Sequence, residues 1–532
     1  MDTADAEPPV ADDGKGFSRR GFLALAGLSV LGATELLATG CDDPSEPPVG
    51  IAPNTSGSTP PSASPEKNPG TEMLRLAGES LLALGEPSHG GLRFRSEIQA
   101  PHYQTDRDVG AASVGMGFLV LADAYPDDTR FMEAAEKAAT WLLAVSEVDK
   151  RGRCWPDYAD DAGASESRYT SFDDGAPGIA DFLWRVGDKT NGQHYKDAAL
   201  QAMRWTFAQA ENKDGALRWQ WDANDADSGY QMGMGEGVVG LVHTFASFYE
   251  RTRQSDPAFA AQCKQTIDGA LRFIDRARAS LGDNEGDSRA LPETGVIGQD
   301  GDTAMNSGYL SGAAGAAFMY LKLHQTFGTQ AYLDKATELL DWLDDTSEGP
   351  KVDMGDKGAA WKLMLDPQGG DNTAYATGME EGNAGIGWTY LQAYHVTQKA
   401  AYLTTAKQAA DWLVATAIHS KGGLSWREHE HPAAKQIHPN LNNGAAGIGM
   451  FLMDMYQTTK DDTYLQAAQG AETWLLATAV TDYKHAHWKD VDDDTSFAND
   501  PSWHWGTAGI AAFLARMHGG NVDIPGQQPA LR

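Results

Sequence analysis

The sequence predicts an all-α fold, an α/α toroid (barrel) of about seven helical hairpins built as an inner and an outer ring of helices. Three observations predict it: seven glycine-rich turns at near-constant spacing, an apolar segment opening at each turn, and an amphipathic segment after that.

The turns come first. In order they are Ala112-Ser113-Val114-Gly115, Gly175-Ala176-Pro177-Gly178, Gly237-Val238-Val239-Gly240, Gly312-Ala313-Ala314-Gly315, Gly382-Asn383-Ala384-Gly385, Gly444-Ala445-Ala446-Gly447 and Gly506-Thr507-Ala508-Gly509. Their last glycines are separated by 63, 62, 75, 70, 62 and 62 residues, the mark of one structural unit copied along the chain. Glycine at such a turn lets a helix begin close to its neighbour.

The segment opened by each turn is apolar on nearly all sides, as in Ile448-Gly449-Met450-Phe451-Leu452-Met453, which suits a helix buried in an inner ring. The next segment carries an aromatic residue, a small residue four later and Trp ten later. The instances are Phe131/Ala135/Trp141, Tyr195/Ala199/Trp205, Tyr332/Ala336/Trp342, Tyr402/Ala406/Trp412 and Tyr464/Ala468/Trp474. Those offsets share one helical face, so this is the outer helix. In the third unit Phe259 is followed by Cys263 at the small-residue position, which reads as a core filler rather than a reactive thiol. A third landmark, Trp155, Trp219, Trp361, Trp426 and Trp488, recurs in the long loops 21 to 24 residues before the next closing glycine. Loops and inner-helix N-termini therefore converge on one face, which also receives the acidic runs Asp157 to Asp161, Asp222 to Asp227 and Asp490 to Asp494.

Composition agrees with a large packed domain. A 41% hydrophobic share and 15 Trp in 532 residues are ample for a core. The net charge of -32, from 42 Lys+Arg against 74 Asp+Glu, argues against a nucleic-acid partner. Three cysteines, Cys41, Cys154 and Cys263, cannot build a disulfide framework.

Ahead of the repeats, Ser18-Arg19-Arg20-Gly21-Phe22-Leu23 and the apolar run to Leu37 have the form of a twin-arginine export signal. The run ends in Leu37-Ala38-Thr39-Gly40-Cys41, similar to a lipobox, with Ala38 where Leu is usual. Residues 1–41 are thus expected to be a leader with Cys41 as the lipidated residue, anchoring the protein to a membrane at the cell envelope or cell surface; the alternative is ordinary cleavage nearby. Residues 42–100 are a Pro/Ser/Gly-rich tether and lead-in, 101–520 the toroid and 521–532 a tail.

The repeated Gly-x-x-Gly turns, the loop Trp landmark, the count of seven and the order of the long loops resemble the lanthionine synthetase C-like family over about residues 100–520. The resemblance implies an α/α toroid and, in active members, a zinc that converts a peptide cysteine to the thiolate that adds to a dehydroamino acid. It also implies where the ligands belong: a Cys two positions before the fifth turn and a Cys-His pair before the sixth. Those positions hold Glu380, Asn442 and Asn443, and the corresponding place at the seventh turn holds His504 and Trp505. The family's His before the fourth turn is Ser311, and its Asp four residues before the third is Gly233. Zinc prefers thiolate and imidazole to amides, so the family's zinc site is expected to be absent.

What remains on the face is acidic. Asp173, Asp174, Glu236, Glu380 and Glu381 stand directly before three of the turns. One reading makes them helix caps meeting the positive end of the dipole. The other makes them acid and base toward a glycan, which needs carboxyl groups about 5–5.5 Å or 6.5–9.5 Å apart. Trp219, Trp221, Trp426 and Trp505 would then stack on sugar rings, with Ser311, Asn442, Asn443 and His504 as polar contacts. Seven of 14 histidines fall late (His419, His429, His431, His438, His485, His487 and His504), which raises a relocated metal site as a further possibility. Helical toroids also host glycosidases and epimerases. The expected activities are therefore binding or modification of a peptide or glycan, a glycosidase-like reaction, or non-catalytic binding at the surface.

Overall fold

A computed structural model describes residues 68–96, 100–283, 286–293, 304–366, 374–430, 434–489 and 500–520. The leader, Cys41, the tether to residue 67, the acidic run Asp490 to Asp494, His431 and the tail lie outside them. Fourteen α-helices are present among the described residues: α1 (Pro69–Leu84), α2 (Ala111–Ala124), α3 (Thr129–Val145), α4 (Ala176–Thr190), α5 (Gln193–Ala208), α6 (Val238–Thr252), α7 (Pro257–Asp283), α8 (Ala313–Phe327), α9 (Gln330–Leu343), α10 (Asn383–Thr397), α11 (Ala400–Thr416), α12 (Ala445–Thr459), α13 (Asp462–Thr478) and α14 (Thr507–Met517).

The even-numbered helices are the inner ring, each packed on the next, and α14 packs on α2 to close it. Their first turns are almost wholly buried, as the all-round apolar pattern requires. Helices α3, α5, α7, α9, α11 and α13 pack outside their inner partners. The aromatic/small/Trp triads face inward: Phe131, Ala135 and Trp141 are fully buried, and Tyr464, Ala468 and Trp474 are nearly so. Cys263 is fully buried, and burial pushes its thiol well up. The seventh outer helix comes from the other end of the chain. Helix α1 lies on α14, with Leu74, Ala77 and Leu81 buried. At the junction His518 sits 2.7 Å from Glu472 of α13 and 3.4 Å from Asn68, the N-cap of α1. The lead-in thus contributes a helix to the ring.

Two-stranded antiparallel hairpins follow six outer helices, at 86–93, 147–154, 211–218, 351–361, 418–425 and 480–487. The loop Trp of the landmark then folds back on the helix just left. Trp155, Trp219, Trp361, Trp426 and Trp488 each donate an indole N–H, at 2.7 to 2.8 Å, to a carbonyl near the end of the preceding outer helix. Each adds a bond at a carbonyl near the helix C-terminus, where intrahelical donors run out; those of Thr206 and Leu475 also accept the backbone N–H of Gln209 and Ala479. Among the described residues no helix is long and apolar enough to cross a membrane.

Candidate functional site on the turn face

Every inner helix begins after a glycine N-cap, which has no side chain to cap with. The open N–H groups are met by backbone instead. In the first unit Ala111, Ala112 and Ser113 donate to the carbonyls of Gln104, Thr105 and Asp106, and in the sixth Ala445, Ala446 and Gly447 donate to His438, Pro439 and Asn440. This spacing of seven residues folds the approaching chain tightly over the helix start. It also explains the closing glycine: a Cβ on Gly447 would lie 1.9 Å from the Leu441 carbonyl oxygen, and one on Gly178 1.9 Å from that of Phe172. With these amides already bonded to carbonyls, the helix starts do not depend on the carboxylates before the turns for those bonds.

The same register relocates the first turn. Helix α2 is capped by Gly110, so the turn is Gly110-Ala111-Ala112-Ser113, two residues earlier than the glycine spacing indicated. Ser113 replaces the closing glycine and uses its hydroxyl, which donates to the Asp108 carbonyl at 2.8 Å and accepts the N–H of Trp503 at 2.7 Å.

Adjacent turns are stitched by backbone hydrogen bonds at equivalent positions. Asp108 donates to Asp173, Asp173 to Gly235, Gly235 to Leu310, Leu310 to Glu380, Glu380 to Asn442 and Asn442 to His504. The bond from Trp503 to Ser113 closes the circle. Asp108, Asp173, Glu380, Asn442 and His504 therefore form a buried circle. The next residue of each turn, Asp174, Glu236, Ser311, Glu381 or Trp505, is half-buried and forms a second, more open circle beside it, with Asn443 buried at the same position. The backbone of this second circle is held by short polar side chains three residues earlier: Ser171 oxygen accepts from Asp174, Asn440 from Asn443 and Ser502 from Trp505.

Side chains cluster in three places on the circles. At the seam between first and last units, His504 Nδ1 lies 2.9 Å from Asp108 Oδ1, and the Trp505 indole donates to the same oxygen at 3.1 Å. Arg107 Nη1 reaches His504 Nε2 at 3.3 Å and Asp173 Oδ1 at 3.4 Å, and its guanidinium lies over the Phe172 ring. Burial lowers the Arg107 pKa, while Asp173 and Asp181 oppose that shift. One turn on, Trp221 donates to Asp174 Oδ2 at 3.1 Å and stacks on Tyr169 with ring centroids 4.6 Å apart. Across the ring, the Ser311 hydroxyl donates to Glu381.

The four Trp named as sugar platforms divide. Trp221 and Trp505 are half-buried on this face, with indole N–H groups held by Asp174 and Asp108. Trp219 and Trp426 are 4% and 0% exposed and anchor hairpins to outer helices, so they have no ring face to offer a ligand there. The late histidines disperse as well. His504 is on the buried circle, His419 and His487 are in hairpin strands, and His429 and His438 flank Glu428 at 3.8 and 3.6 Å. No three His, Cys, Asp or Glu side chains among the described residues are grouped so as to hold a metal ion. The acidic runs are used locally, Asp161 pairing with Arg93 and Asp222 accepting the Arg168 N–H.

Asp108 and Arg107 escaped the sequence reading. Aligning Gly110-Ala111-Ala112-Ser113 with Gly444-Ala445-Ala446-Gly447 puts Asp108 opposite Asn442, and that likeness was the available signal.

Residues 303–524, holding turns four to seven, match the family model of lanthionine synthetase C-like proteins. No curated protein matches the sequence. Among solved structures the chain is similar to nisin cyclase, with 11% identity and a TM-score of 0.50, covering 79% of this chain and 90% of that one. It is also similar to D-mannose isomerase (12% identity, TM-score 0.48, 73% and 98% covered) and to cellobiose 2-epimerase from Bacillus thermoamylovorans B4167 (12%, 0.47, 84% and 98%). At such identity the likeness to nisin cyclase concerns the fold, an α/α toroid.

Proposed function

We propose that this is an exported, lipid-anchored, lanthionine synthetase C-like ring protein whose turn face binds a glycan, and that it does not carry out zinc-dependent thioether cyclisation. The observation that carries the reading is the pair Trp221 and Trp505. Each indole is fixed by a carboxylate through its N–H and left partly open on a face of carboxylates, a hydroxyl and an amide. Aromatic faces take the C–H surface of a sugar ring, and fixed carboxylates and amides take its hydroxyls. An acidic peptide is disfavoured by the same carboxylates.

The donor set argues against the family's zinc. Glu380, Asn442 and Asn443 are brought onto adjoining turns, as the resemblance requires of zinc ligands. They offer one carboxylate and two carboxamides where two thiolates and an imidazole are needed, and do not fit that metal. No reaction step is therefore assigned to it. Export through the twin-arginine segment and anchoring at Cys41 rest on the sequence alone.

Calorimetric titration of the mature protein with neutral oligosaccharides tests the reading. Trp505→Ala and Trp221→Ala should each weaken binding about tenfold, equivalent to about 1.4 kcal/mol. Release of reducing ends during incubation would make the face catalytic, with Asp174, Glu236 and Glu381 the carboxylates to replace. Binding of a Lys-rich peptide with none of the oligosaccharides would refute the glycan.

A further inference from the structure

The other end of the ring holds a separate cavity. Where α10, α12 and α14 finish, a space of about 420 Å³ opens between them, within the roughly 300–1,000 Å³ range of small-molecule sites. Helix α12 has 15 residues, so this end lies roughly 20 Å from the turn face at 1.5 Å per residue. Its floor is Asp454, whose carboxylate accepts the Trp388 indole N–H at 3.1 Å and pairs with Arg516. Arg516 also donates to Gln457 Oε1 at 3.1 Å. On the wall, His395 Nε2 lies 3.3 Å from the Thr458 hydroxyl, and burial lowers the imidazole pKa, which keeps the ring neutral at pH 7. Gln392, Tyr394 and Gln398 complete the lining.

Charge and hydrogen-bonding capacity narrow the occupant. The one carboxylate and the one guanidinium of the lining are paired with each other, so a charged ligand finds no uncompensated partner. The Gln457 oxygen, the Thr458 hydroxyl and the Gln398 amide nitrogen have protein partners. The Gln457 amide nitrogen, the Gln398 oxygen and the second lone pair of the hydroxyl keep capacity that an apolar ligand would leave unmet, which is costly. A hydroxyl group both donates and accepts, matching groups that do the same. We propose that this cavity binds a neutral polyol of monosaccharide size, independently of any ligand on the turn face. The walls are helices of the inner ring rather than loops, which pre-organises the site.

The test is isothermal titration calorimetry on the mature protein with D-glucose, myo-inositol and putrescine. One of the two polyols should bind in the millimolar range or tighter. Gln457→Leu and Thr458→Val should each weaken that binding at least fivefold. Both residues are on the accessible side of α12, and circular dichroism checks that the variants stay folded. Binding should survive Trp505→Ala, which separates this site from the turn face. No heat with either polyol, stronger binding of putrescine, or loss with Trp505→Ala but not with Gln457→Leu would each overturn the proposal.

Discussion

His504 and Asp108 are 396 residues apart in the chain and 2.9 Å apart in the ring. The pair lies at the seam, where the seventh inner helix meets the first, and one oxygen of Asp108 receives both His504 and the Trp505 indole. Loop closure over such a separation carries a large entropic cost, so the contacts that hold the seam bear directly on stability. Asp108→Ala leaves the buried His504 and the half-buried Trp505 indole without this acceptor. At roughly 1.5–3 kcal/mol for the buried bond to a charged group and about 1 kcal/mol or less for the water-accessible indole, we expect a loss of about 2–4 kcal/mol by urea unfolding. Asp108→Asn keeps one acceptor oxygen and should recover part of it. A loss below about 0.5 kcal/mol for the alanine variant would remove the seam from the account.

The closing glycines make a second prediction. A Cβ at Gly447 would meet the Leu441 oxygen at 1.9 Å, a backbone atom that cannot move without breaking the bonds of the turn. Gly447→Ala should cost upward of about 3 kcal/mol or prevent folding. Ser113→Gly, at the equivalent place in the first unit, meets no such obstacle and loses only the two hydroxyl bonds, about 1–3 kcal/mol. Melting curves of the two variants should differ in that order.

A pH dependence follows from His243 on α6. Burial, with Lys322 adding to it, lowers this imidazole to about 3, against an ordinary value of about 6.5. The unfolded chain takes up a proton below about 6.5, but the folded chain does not until about 3, so stability is full above that window and falls as pH drops through it. Each pH unit inside the window is worth about 1.4 kcal/mol, so acidification from pH 7 to 5 should cost about 2 kcal/mol through this residue. His243→Gln removes that slope. Urea midpoints of the two proteins should converge toward pH 5, and parallel profiles would show that His243 is not the group responsible.

Much of this architecture is written in the chain because it is written several times. Copying at about 62 residues exposes the turns, and the triads such as Tyr464/Ala468/Trp474 expose the outer helices, since core packing admits few residue types at those places. The candidate site was legible to the same extent: residues standing just before the turns do fall on the two circles. What stayed hidden depends on contacts between chain ends or on exceptions to the repeat. Ser113 disguises the first turn, so Asp108 and Arg107 carried no periodic signal. Nothing in the local sequence distinguishes Trp426, which returns to its own outer helix, from Trp505, which reaches across the seam.

The seventh outer position gives a prediction of its own. Leu81 of α1 is fully buried and belongs to the helix that covers α14. A segment that merely led into the ring would tolerate truncation there. As a core position, Leu81→Ala should cost about 2–5 kcal/mol, comparable to the same change at Leu475 of α13, also fully buried. Equal shifts in urea midpoint would make α1 an integral part of the ring, and a shift near zero for Leu81→Ala alone would make it a detachable cover.

The two kinds of loop tryptophan should separate stability from binding. Trp426 is fully buried and donates to the Leu413 carbonyl at 2.7 Å. Trp426→Phe keeps most of the packing but leaves that carbonyl only the long bond from the Thr416 hydroxyl at 3.5 Å, so we expect a loss of about 1–3 kcal/mol in stability and no change in oligosaccharide affinity. Trp505 is half-buried on the turn face and its indole is tied to Asp108. Trp505→Phe keeps an aromatic face but frees its orientation, so affinity should fall while stability changes by about 1 kcal/mol or less. Calorimetry and urea unfolding on both variants give four numbers, and the assignment requires the two large effects to fall on opposite residues. If Trp426→Phe weakens binding as much as Trp505→Phe does, the hairpins, and not the half-exposed circle, hold the ligand.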